Sequence, residues 1–370
     1  MVMQAAVFHG HEDVRITERP IPTPGPGELL IKVAAVGVCG TDVGEWDHGP
    51  IQVPLHAAHP VTGHVGPMIL GHEFSGTVIA RGPQVGEEWQ GARVASCGSI
   101  ACGTCASCRN GASNRCPQYA GVGLHRDGAL AQYVTAPTES CIAIDGTGMS
   151  LDEAALCQPM AVAMHCVSRA GHVAGESVLM LGAGGIGIFL VAALQAAGAR
   201  VVATDLQEDR LELARELGAD ETVLGVGDES DIERIKSALS ELTPSVIFEV
   251  SGTAAGMSTA LALADRGTRI VAVGIQKEPL KIDLAQLTLQ EISLIGTNAL
   301  VREVDFPRAV ELVAARSGIW HRIAPKLLPL GHIEEGALRL LRAGGAPALK
   351  MLIDPWAENA RDLTEGDSTR

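Results

Sequence analysis

The chain has 370 residues, of which 46% are hydrophobic and 43 are glycine, and it carries 28 Lys and Arg against 43 Asp and Glu. This length suffices for two globular domains, and the composition excludes a disordered or fibrous protein. The formal net charge of -15 opposes binding to nucleic acid or to an anionic membrane surface, so a small neutral molecule is the expected partner.

Residues 1 to about 150 are predicted to be rich in β-strands. Apolar runs such as LLIKVAAVGVCG (29–40) and GHEFSGTVIARG (71–82) are broken by Gly and Pro and lack a long helical period. The amino terminus, MVMQAAVFHGHEDVRI, has neither the basic segment nor the apolar core of a secretory signal. We therefore expect a cytoplasmic protein.

A cysteine-rich stretch within this β-rich part predicts a structural metal site. Its spacing is C-x2-C-x2-C-x7-C, and four thiolates so close together can surround Zn2+ and leave no open position. An iron-sulfur cluster is the less favoured alternative, because the stretch lacks the C-x3-C-P ending of bacterial ferredoxins. The predicted ligands are Cys102, Cys105, Cys108 and Cys116.

The pattern changes at Ser150, where strands and helices begin to alternate. Ser150 and Glu153 have capping-box spacing, and the apolar stretch that follows predicts a helix ending near Gly171. The uncharged segment 177–199 is long enough to cross a bilayer, but its glycines predict a strand, a turn and a helix from Ile188 instead. Alternation of this kind indicates a parallel sheet with helices on both faces. The predicted strands are VLML (178–181), RVVATD (200–205), SVIFEV (245–250) and RIVAVG (269–274), and EDRLELARELG (208–218) is a predicted helix.

The turn after the first of these strands predicts a dinucleotide site. It reads G-x-G-x-x-G, so one glycine makes the turn, one admits a pyrophosphate, and one lets helix and strand approach. Asp205 follows 18 residues after Gly187 and can bind the adenosine ribose while repelling a 2'-phosphate, which favours NAD over NADP. Arg210 either covers the adenine or is a solvated helix residue. The predicted cofactor contacts are Gly182, Gly184, Gly185, Ile186, Gly187, Asp205, Arg210, Val250, Val273 and Gly274.

Two further motifs predict a catalytic metal site. Cys39 stands in VGVCGTD, and His72 and Glu73 stand in GHEFSG. A catalytic zinc needs about three protein ligands and an open position for substrate, which Cys39, His72 and a third group would provide. A buried apolar thiol and a solvated His-Glu pair are the alternatives.

The order of these motifs, together with QPMAVAMH (158–165) and LKMLIDP (349–355), resembles that of the zinc-dependent medium-chain dehydrogenases. The segment DHGPIQVPLHAAHPVTGHVGPMILGHEFSG (47–76) is most similar to the 2,3-butanediol and sorbitol dehydrogenase branch. The resemblance implies an α/β protein with a GroES-like β-rich catalytic domain, residues 1–155 and 300–370, which carries the zinc lobe at 97–116. A Rossmann NAD-binding domain would span 156–299, with the active site in the cleft between the two.

The same resemblance implies residue roles. Cys39 and His72 would be zinc ligands, Glu73 a ligand or near neighbour, and Thr41 the hydroxyl that contacts the substrate alcohol. Gln158 stands where the branch usually has a glutamate, so Gln158, Cys157 or water would complete the catalytic zinc shell and Glu73 would be the only acidic group left there.

Gly44 replaces the usual relay histidine. His48 is either its substitute or an exposed loop residue.

The predicted reaction is reversible NAD-dependent oxidation of a secondary alcohol of the vicinal diol, polyol or α-hydroxy ketone type, such as 2,3-butanediol, by an enzyme with one catalytic and one structural zinc. The alternatives are a zinc-free reductase and a non-catalytic dinucleotide-binding protein with a decayed zinc site. A homo-oligomer, dimer or tetramer, is expected. The segment near residues 295–302 is either an exposed apolar strand that could pair subunits or a buried strand.

Overall fold

The computed structural model describes residues 1–239, 243–276 and 278–364. Short strands dominate residues 1–150, which confirms the predicted β-rich character of this part. The strand β3 is apolar and buried along most of its length, and it pairs antiparallel with β5 and β9. The core beside it includes Phe8, Trp46 and Phe74. The strands and α-helices up to residue 170 are β1 (Val2–Gly10), β2 (Asp13–Pro20), β3 (Glu28–Val38), α1 (Gly40–His48), β4 (Met68–Ile69), β5 (Glu73–Arg81), β6 (Arg93–Ser96), β7 (Ser99–Ile100), α2 (Ala106–Arg109), β8 (Ala120–Gly121), β9 (Tyr133–Pro137), β10 (Cys141–Ala143), α3 (Leu151–Ala154) and α4 (Cys157–Ala170).

Alternating strands and helices follow, as predicted, and form a six-stranded parallel sheet. They are β11 (Ser177–Leu181), α5 (Gly185–Ala196), β12 (Arg200–Asp205), α6 (Glu208–Glu216), β13 (Glu221–Leu224), α7 (Ser230–Leu239), β14 (Val246–Glu249), α8 (Ala254–Leu263), β15 (Arg269–Ala272), α9 (Leu284–Leu289) and β16 (Ser293–Gly296). The strand order is β13-β12-β11-β14-β15-β16. Because the order reverses between β11 and β14, the carboxyl ends of these two strands flank a crevice of the kind that binds dinucleotides.

The carboxy-terminal part returns to the first sheet. It contains α10 (Asp305–Ala315), β17 (Lys326–Pro329), α11 (Arg339–Ala343), β18 (Met351–Asp354) and β19 (Arg361–Asp362). Strand β18 pairs antiparallel with β3, so the mixed sheet has the order β10-β6-β5-β3-β18-β17-β19, with β9 also on β3. The end of the predicted polar tail, after residue 364, lies outside the described residues.

The chain divides into two compact units. Unit 1 comprises Met1–Ala161 and Val301–Arg370, and unit 2 comprises Val162–Leu300. The β-rich and parallel-sheet halves match the predicted α/β fold class. The predicted boundaries at 155/156 and 299/300 differ by a few residues from these. The observed first boundary, between Ala161 and Val162, lies within α4, which is continuous there.

The predicted helix from Ser150 to Gly171 is two helices. Its capping box is present, since the Ser150 hydroxyl accepts a hydrogen bond from the Glu153 amide at 3.0 Å and the Ser150 amide donates to the Glu153 carboxylate at 2.9 Å. The helix is interrupted after Ala154. Pro159 supplies the reason, because in a continuous helix its ring would clash with the carbonyl of Ala155; in the first turn of α4 it is tolerated.

The uncharged segment 177–199 is the predicted strand, turn and helix, with α5 starting at Gly185 rather than Ile188. No helix of the described residues is long and apolar enough to cross a membrane.

The prediction of an exposed strand near 295–302 is partly wrong. The edge strand β16 is exposed along most of its length, but Leu300 and Val301 are buried and follow it in a loop.

Candidate functional site

Cys39, His72 and Glu73 meet at one end of the mixed sheet in unit 1. Cys39 follows β3 directly, and Glu73 begins β5 opposite Gly37 of β3. Pairing of these strands therefore brings together residues that are more than thirty positions apart. One ligand atom from each of the three side chains lies within 4.8 Å of the others, and His72 and Glu73 are buried. A soft thiolate, an imidazole and a carboxylate at this spacing are a donor set suited to Zn2+.

Asp42 supports this cluster from α1. Its carboxylate is fully buried, accepts a hydrogen bond from the Cys39 amide at 2.8 Å and one from the Gly71 amide at 3.3 Å, and lies 3.7 Å from Nδ1 of His72. The approach to His72 is an electrostatic contact rather than a hydrogen bond; a carboxylate on that side favours a proton on Nδ1, which would leave Nε2 to bind a metal. Burial lowers the pKa of His72, but Asp42 and Cys39 together raise it well above its ordinary value.

Lys350 is the cationic partner of Glu73. Its ammonium forms an ion pair with the Glu73 carboxylate, and the two side chains are 8% and 2% exposed. Burial lowers the pKa of Lys350, yet the negative charges of Glu73 and Cys39 outweigh that effect and raise it. Lys350 is thus held in its charged form and offsets the charge of Glu73 beside the cluster.

The expectation that Glu73 is the only acidic group left at the metal stays a prediction, but a second carboxylate lies close by. Asp42 is a second buried carboxylate, and it contacts His72 rather than the metal-facing side of the cluster. The formal charge around the three donor atoms therefore depends on Asp42 and Lys350 as well as on the donors themselves.

Cys157 and Gln158 open α4, and only Cys157 has contacts that bear on its role. Its thiol is fully buried and lies 4.0 Å from the Met149 sulfur. Burial, and then the charge of Glu153, raises its pKa, which favours the protonated thiol. Cys157 lies outside the donor cluster among the described residues. Gln158 is half-buried, and its place near the metal stays a prediction.

Thr41 and His48 both belong to α1. The Thr41 hydroxyl lies 3.7 Å from the Cys39 sulfur, so it adjoins the donor cluster. His48 ends the helix with 60% of its side chain exposed, 3.3 Å from the Asp47 carboxylate. Gly44 lies between them, one turn before His48. The proton-relay role of His48 stays a prediction.

The four clustered cysteines form a second candidate metal centre. Their sulfur atoms all lie within 4.8 Å of one another, and the measured Sγ–Sγ separations are 3.5 and 3.8 Å from Cys105 to Cys108 and Cys116. Ligands about 2.3 Å from a tetrahedral zinc would be roughly 3.8 Å apart. The sulfurs of Cys102, Cys105 and Cys116 accept hydrogen bonds from backbone amides at 3.3–3.4 Å. Such bonds favour the thiolate form that binds metal.

The glycine-rich turn in unit 2 connects β11 to α5. Its Ala183 amide donates a hydrogen bond to the Asp205 carboxylate at 2.8 Å, and Arg210 reaches the same carboxylate at 3.5 Å. A side chain at Gly187 would collide with the Gly182 carbonyl, so the third glycine of the motif is required for this close packing. Gly184, Gly185 and Ile186 lie at the start of α5.

The other predicted cofactor residues border the same crevice. Val250 follows β14, and Val273 and Gly274 follow β15. The amides of Val273 and Gly274 donate to the Glu249 carbonyl at 2.8 and 2.9 Å. The turns after β11, β14 and β15 therefore converge, as the strand order requires. Contact of these residues with a cofactor stays a prediction.

Two residues of the site, Asp42 and Lys350, were not predicted from the sequence. Asp42 follows Cys39 by three residues, a spacing at which a helix N3 side chain bonds the N-cap amide. Lys350 stands in the LKMLIDP segment, but a lysine before an apolar strand is usually solvent-exposed. Only the pairing of β18 with β3 places it against Glu73.

Comparison with known proteins agrees with this geometry. The alcohol dehydrogenase GroES-like domain model matches residues 25–146, and the zinc-binding dehydrogenase model matches residues 185–315. Sorbitol dehydrogenase of Bacillus subtilis is 31% identical over 85% of this chain and 86% of its own length. L-threonine 3-dehydrogenase of Saccharopolyspora erythraea is 34% identical over 76% of this chain and 80% of its own. The crystal structure of 2R,3R-butanediol dehydrogenase from Bacillus subtilis superposes with a TM-score of 0.86 at 28% identity, covering 95% of this chain and 99% of that one.

Proposed function

Since the chain belongs to the zinc-binding alcohol dehydrogenase family, we propose that it is an NAD-dependent oxidoreductase that interconverts a secondary alcohol and its ketone. The single observation that carries the proposal is the cluster of Cys39, His72 and Glu73 donor atoms within 4.8 Å. The decayed-site alternative is based on the replacements at Gln158 and Gly44, but the three donors of the cluster are all present. The observed cluster therefore favours catalysis over a non-catalytic dinucleotide-binding protein, and it argues against a zinc-free reductase.

Cys39 and His72 would hold the catalytic metal, with Glu73 as a ligand or close neighbour and Gln158 as the candidate for a further position. Zinc bound here would supply a Lewis acid for an alcohol or carbonyl oxygen. Asp42 fixes the His72 ring, and Lys350 balances the charge of Glu73. Thr41 would accept the hydroxyl proton of the substrate, and His48 is the candidate that would release this proton to solvent.

Unit 2 would bind the dinucleotide. The turn from Gly182 to Gly187 would receive the pyrophosphate at the start of α5, and Asp205 would accept hydrogen bonds from the adenosine ribose. In the net reaction the substrate would lose a hydride from its carbinol carbon to the dinucleotide, which would supply the hydride acceptor, and one proton to solvent.

The substrate class is inferred from the relatives. Sorbitol and 2R,3R-butanediol, in the names of two of them, are a polyol and a vicinal diol, so we propose an uncharged diol, polyol or α-hydroxy ketone. The net charge of -15 agrees with an uncharged substrate. A homo-oligomer that pairs through the exposed edge strand β16 is a further part of this proposal, and light scattering after gel filtration measures it.

The test is NADH formation by purified zinc-loaded protein with a panel of diols, polyols and simple secondary alcohols, combined with metal analysis. We expect two zinc ions per chain and activity on a vicinal diol or polyol, with one product enantiomer. The proposal would be abandoned if no member of the panel were oxidised, and a content of one zinc per chain would favour the non-catalytic alternative.

A matched pair of variants tests the proton path. Thr41→Ser retains the hydroxyl and should remain active, whereas Thr41→Val is nearly isosteric but lacks it. We expect Thr41→Val to lower kcat by about 10²-fold or more. Equal activity of the two variants would remove Thr41 from the mechanism.

A further inference from the structure

Glu249 is a fully buried carboxylate at the crevice of the parallel sheet. It is the last residue of β14, directly beside Leu181, the last residue of β11, and its exposure is 0%. These two strands are the ones between which the sheet order reverses. Burial of a carboxylate costs hydration free energy that hydrogen bonds or a countercharge must offset. A buried ionisable group at a ligand-binding crevice is therefore a candidate for a functional role.

Three donors satisfy this carboxylate. The Ser251 hydroxyl donates to Oε1 at 2.5 Å, the Gly252 amide donates to Oε1 at 3.1 Å, and the Gln276 amide group donates to Oε2 at 3.0 Å. The amino terminus of α8 lies close by, since a side chain at its Gly256 would touch Glu249 Oε1, and its dipole also favours a negative charge. No cation of the described residues lies within ion-pair distance of Glu249. Among the described residues the carboxylate is therefore contacted by hydrogen-bond donors and a helix amino terminus and by no countercharge.

Glu249 also joins the two turns that follow β14 and β15. Its carbonyl accepts from the amides of Val273 and Gly274, and its carboxylate binds Gln276 in the second turn and Gly252 in the first. These turns touch backbone to backbone, because a side chain at Gly274 would overlap Gly252. The carboxylate is thus fixed in position where the turns after β11, β14 and β15 meet, next to Leu181. In a doubly wound fold the β14 side of this crevice would receive the nicotinamide half of the dinucleotide.

We propose that Glu249 is a positioning residue whose buried charge makes unit 2 bind the oxidised dinucleotide in preference to the reduced one. The nicotinamide ring is cationic in NAD+ and neutral in NADH. A fixed carboxylate with no countercharge among the described residues would attract the cationic ring and have little effect on the neutral one. This inference rests on the proposed NAD dependence.

The test is isothermal titration of zinc-loaded wild type and Glu249→Gln with NAD+, NADH and ADP-ribose. This substitution is isosteric, and the Gln276 amide can turn to accept the N–H that it introduces, so the hydrogen bonds can be retained while the charge is lost. We expect the Kd for NAD+ to rise on the order of fivefold, with the Kd values for NADH and ADP-ribose unchanged. A purely structural role predicts equal changes for NAD+ and NADH, and this result would overturn the proposal.

Two control variants separate charge from hydrogen bonding. Ser251→Ala removes one donor and keeps the charge, so the ratio of the two Kd values should stay at the wild-type value. Glu176→Gln also removes one negative charge, directly before β11 at the amino edge of the same sheet, where the carboxylate is paired with Arg269, and should leave the ratio unchanged as well. A change of the ratio in Glu176→Gln would contradict the assignment to Glu249. If wild type bound none of the three ligands, the proposed function would fail instead.

Discussion

The buried pair of Glu73 and Lys350 should stabilise unit 1 only as a pair. Replacing Lys350 by Met removes the ammonium and leaves a carboxylate that is 2% exposed beside the Cys39 thiol and near Asp42. Loss of one partner of a buried ion pair costs about 3–5 kcal/mol, because the remaining charge is desolvated without compensation. Glu73→Leu should lower the free energy of unfolding by a similar amount, because the Lys350 ammonium would remain buried without its carboxylate partner. The double variant Glu73→Leu with Lys350→Met replaces both charges by apolar groups and should be within about 2 kcal/mol of wild type.

Intrinsic fluorescence offers an assay specific to unit 1. The four tryptophans of the chain, Trp46, Trp89, Trp320 and Trp356, all lie in Met1–Ala161 or Val301–Arg370. Urea unfolding followed by this signal therefore reports that unit. A loss of about 3 kcal/mol should move the midpoint down by roughly 1–2 M urea.

Measurements with saturating Zn2+ and after chelation separate loss of the pair from loss of a metal ligand. Since each single variant carries the full penalty of one unpaired charge, their summed losses should exceed that of the double variant by about 3 kcal/mol or more. Strict additivity of the two single variants would refute the reasoning.

The remaining sites give three further predictions. Cys108→Ser should lower the zinc content from two ions per chain to one and reduce the urea midpoint of unit 1, as measured by metal analysis and tryptophan fluorescence; an unchanged zinc content would exclude the four-thiolate site. Asp205→Ser should raise the ratio of kcat/KM with NADP to kcat/KM with NAD by about tenfold or more, because the repelling charge is lost while Arg210, 3.5 Å away, remains available to a 2'-phosphate; a constant ratio would remove Asp205 from cofactor selection. Burial, and secondarily His59, lowers the pKa of His125 to about 4. Below about pH 6.5 this histidine is therefore protonated in the unfolded chain but still neutral in the folded one. The stability of unit 1 should fall as the pH drops from about 6.5 toward 4. His125→Gln retains an acceptor for the Gly121 amide, which donates to His125 at 3.0 Å, and should weaken this pH dependence of the urea midpoint; an identical dependence would assign it to other groups.

The sequence by itself determined those features that depend on local spacing. The strand, turn and helix around Gly182 to Gly187, the strand ending in Asp205 and the capping box at Ser150 are each set by residues within about twenty positions of one another. Their steric and hydrogen-bonding requirements can therefore be inferred from the spacing of residues along the chain. The four-cysteine centre belongs to the same class, because its ligands share one short loop.

Only the tertiary structure decided the charge environment of the buried groups. Lys350 meets Glu73 because β18 pairs with β3, and this contact spans 277 positions of the sequence. Gln276 reaches Glu249 because two neighbouring parallel strands end at the same edge of a sheet. The energy of a buried charge depends on which partners lie within a few ångströms of it in space. No periodicity or spacing along the chain specifies those partners, so the metal donors and the dinucleotide turn were predictable while the groups that tune them were not.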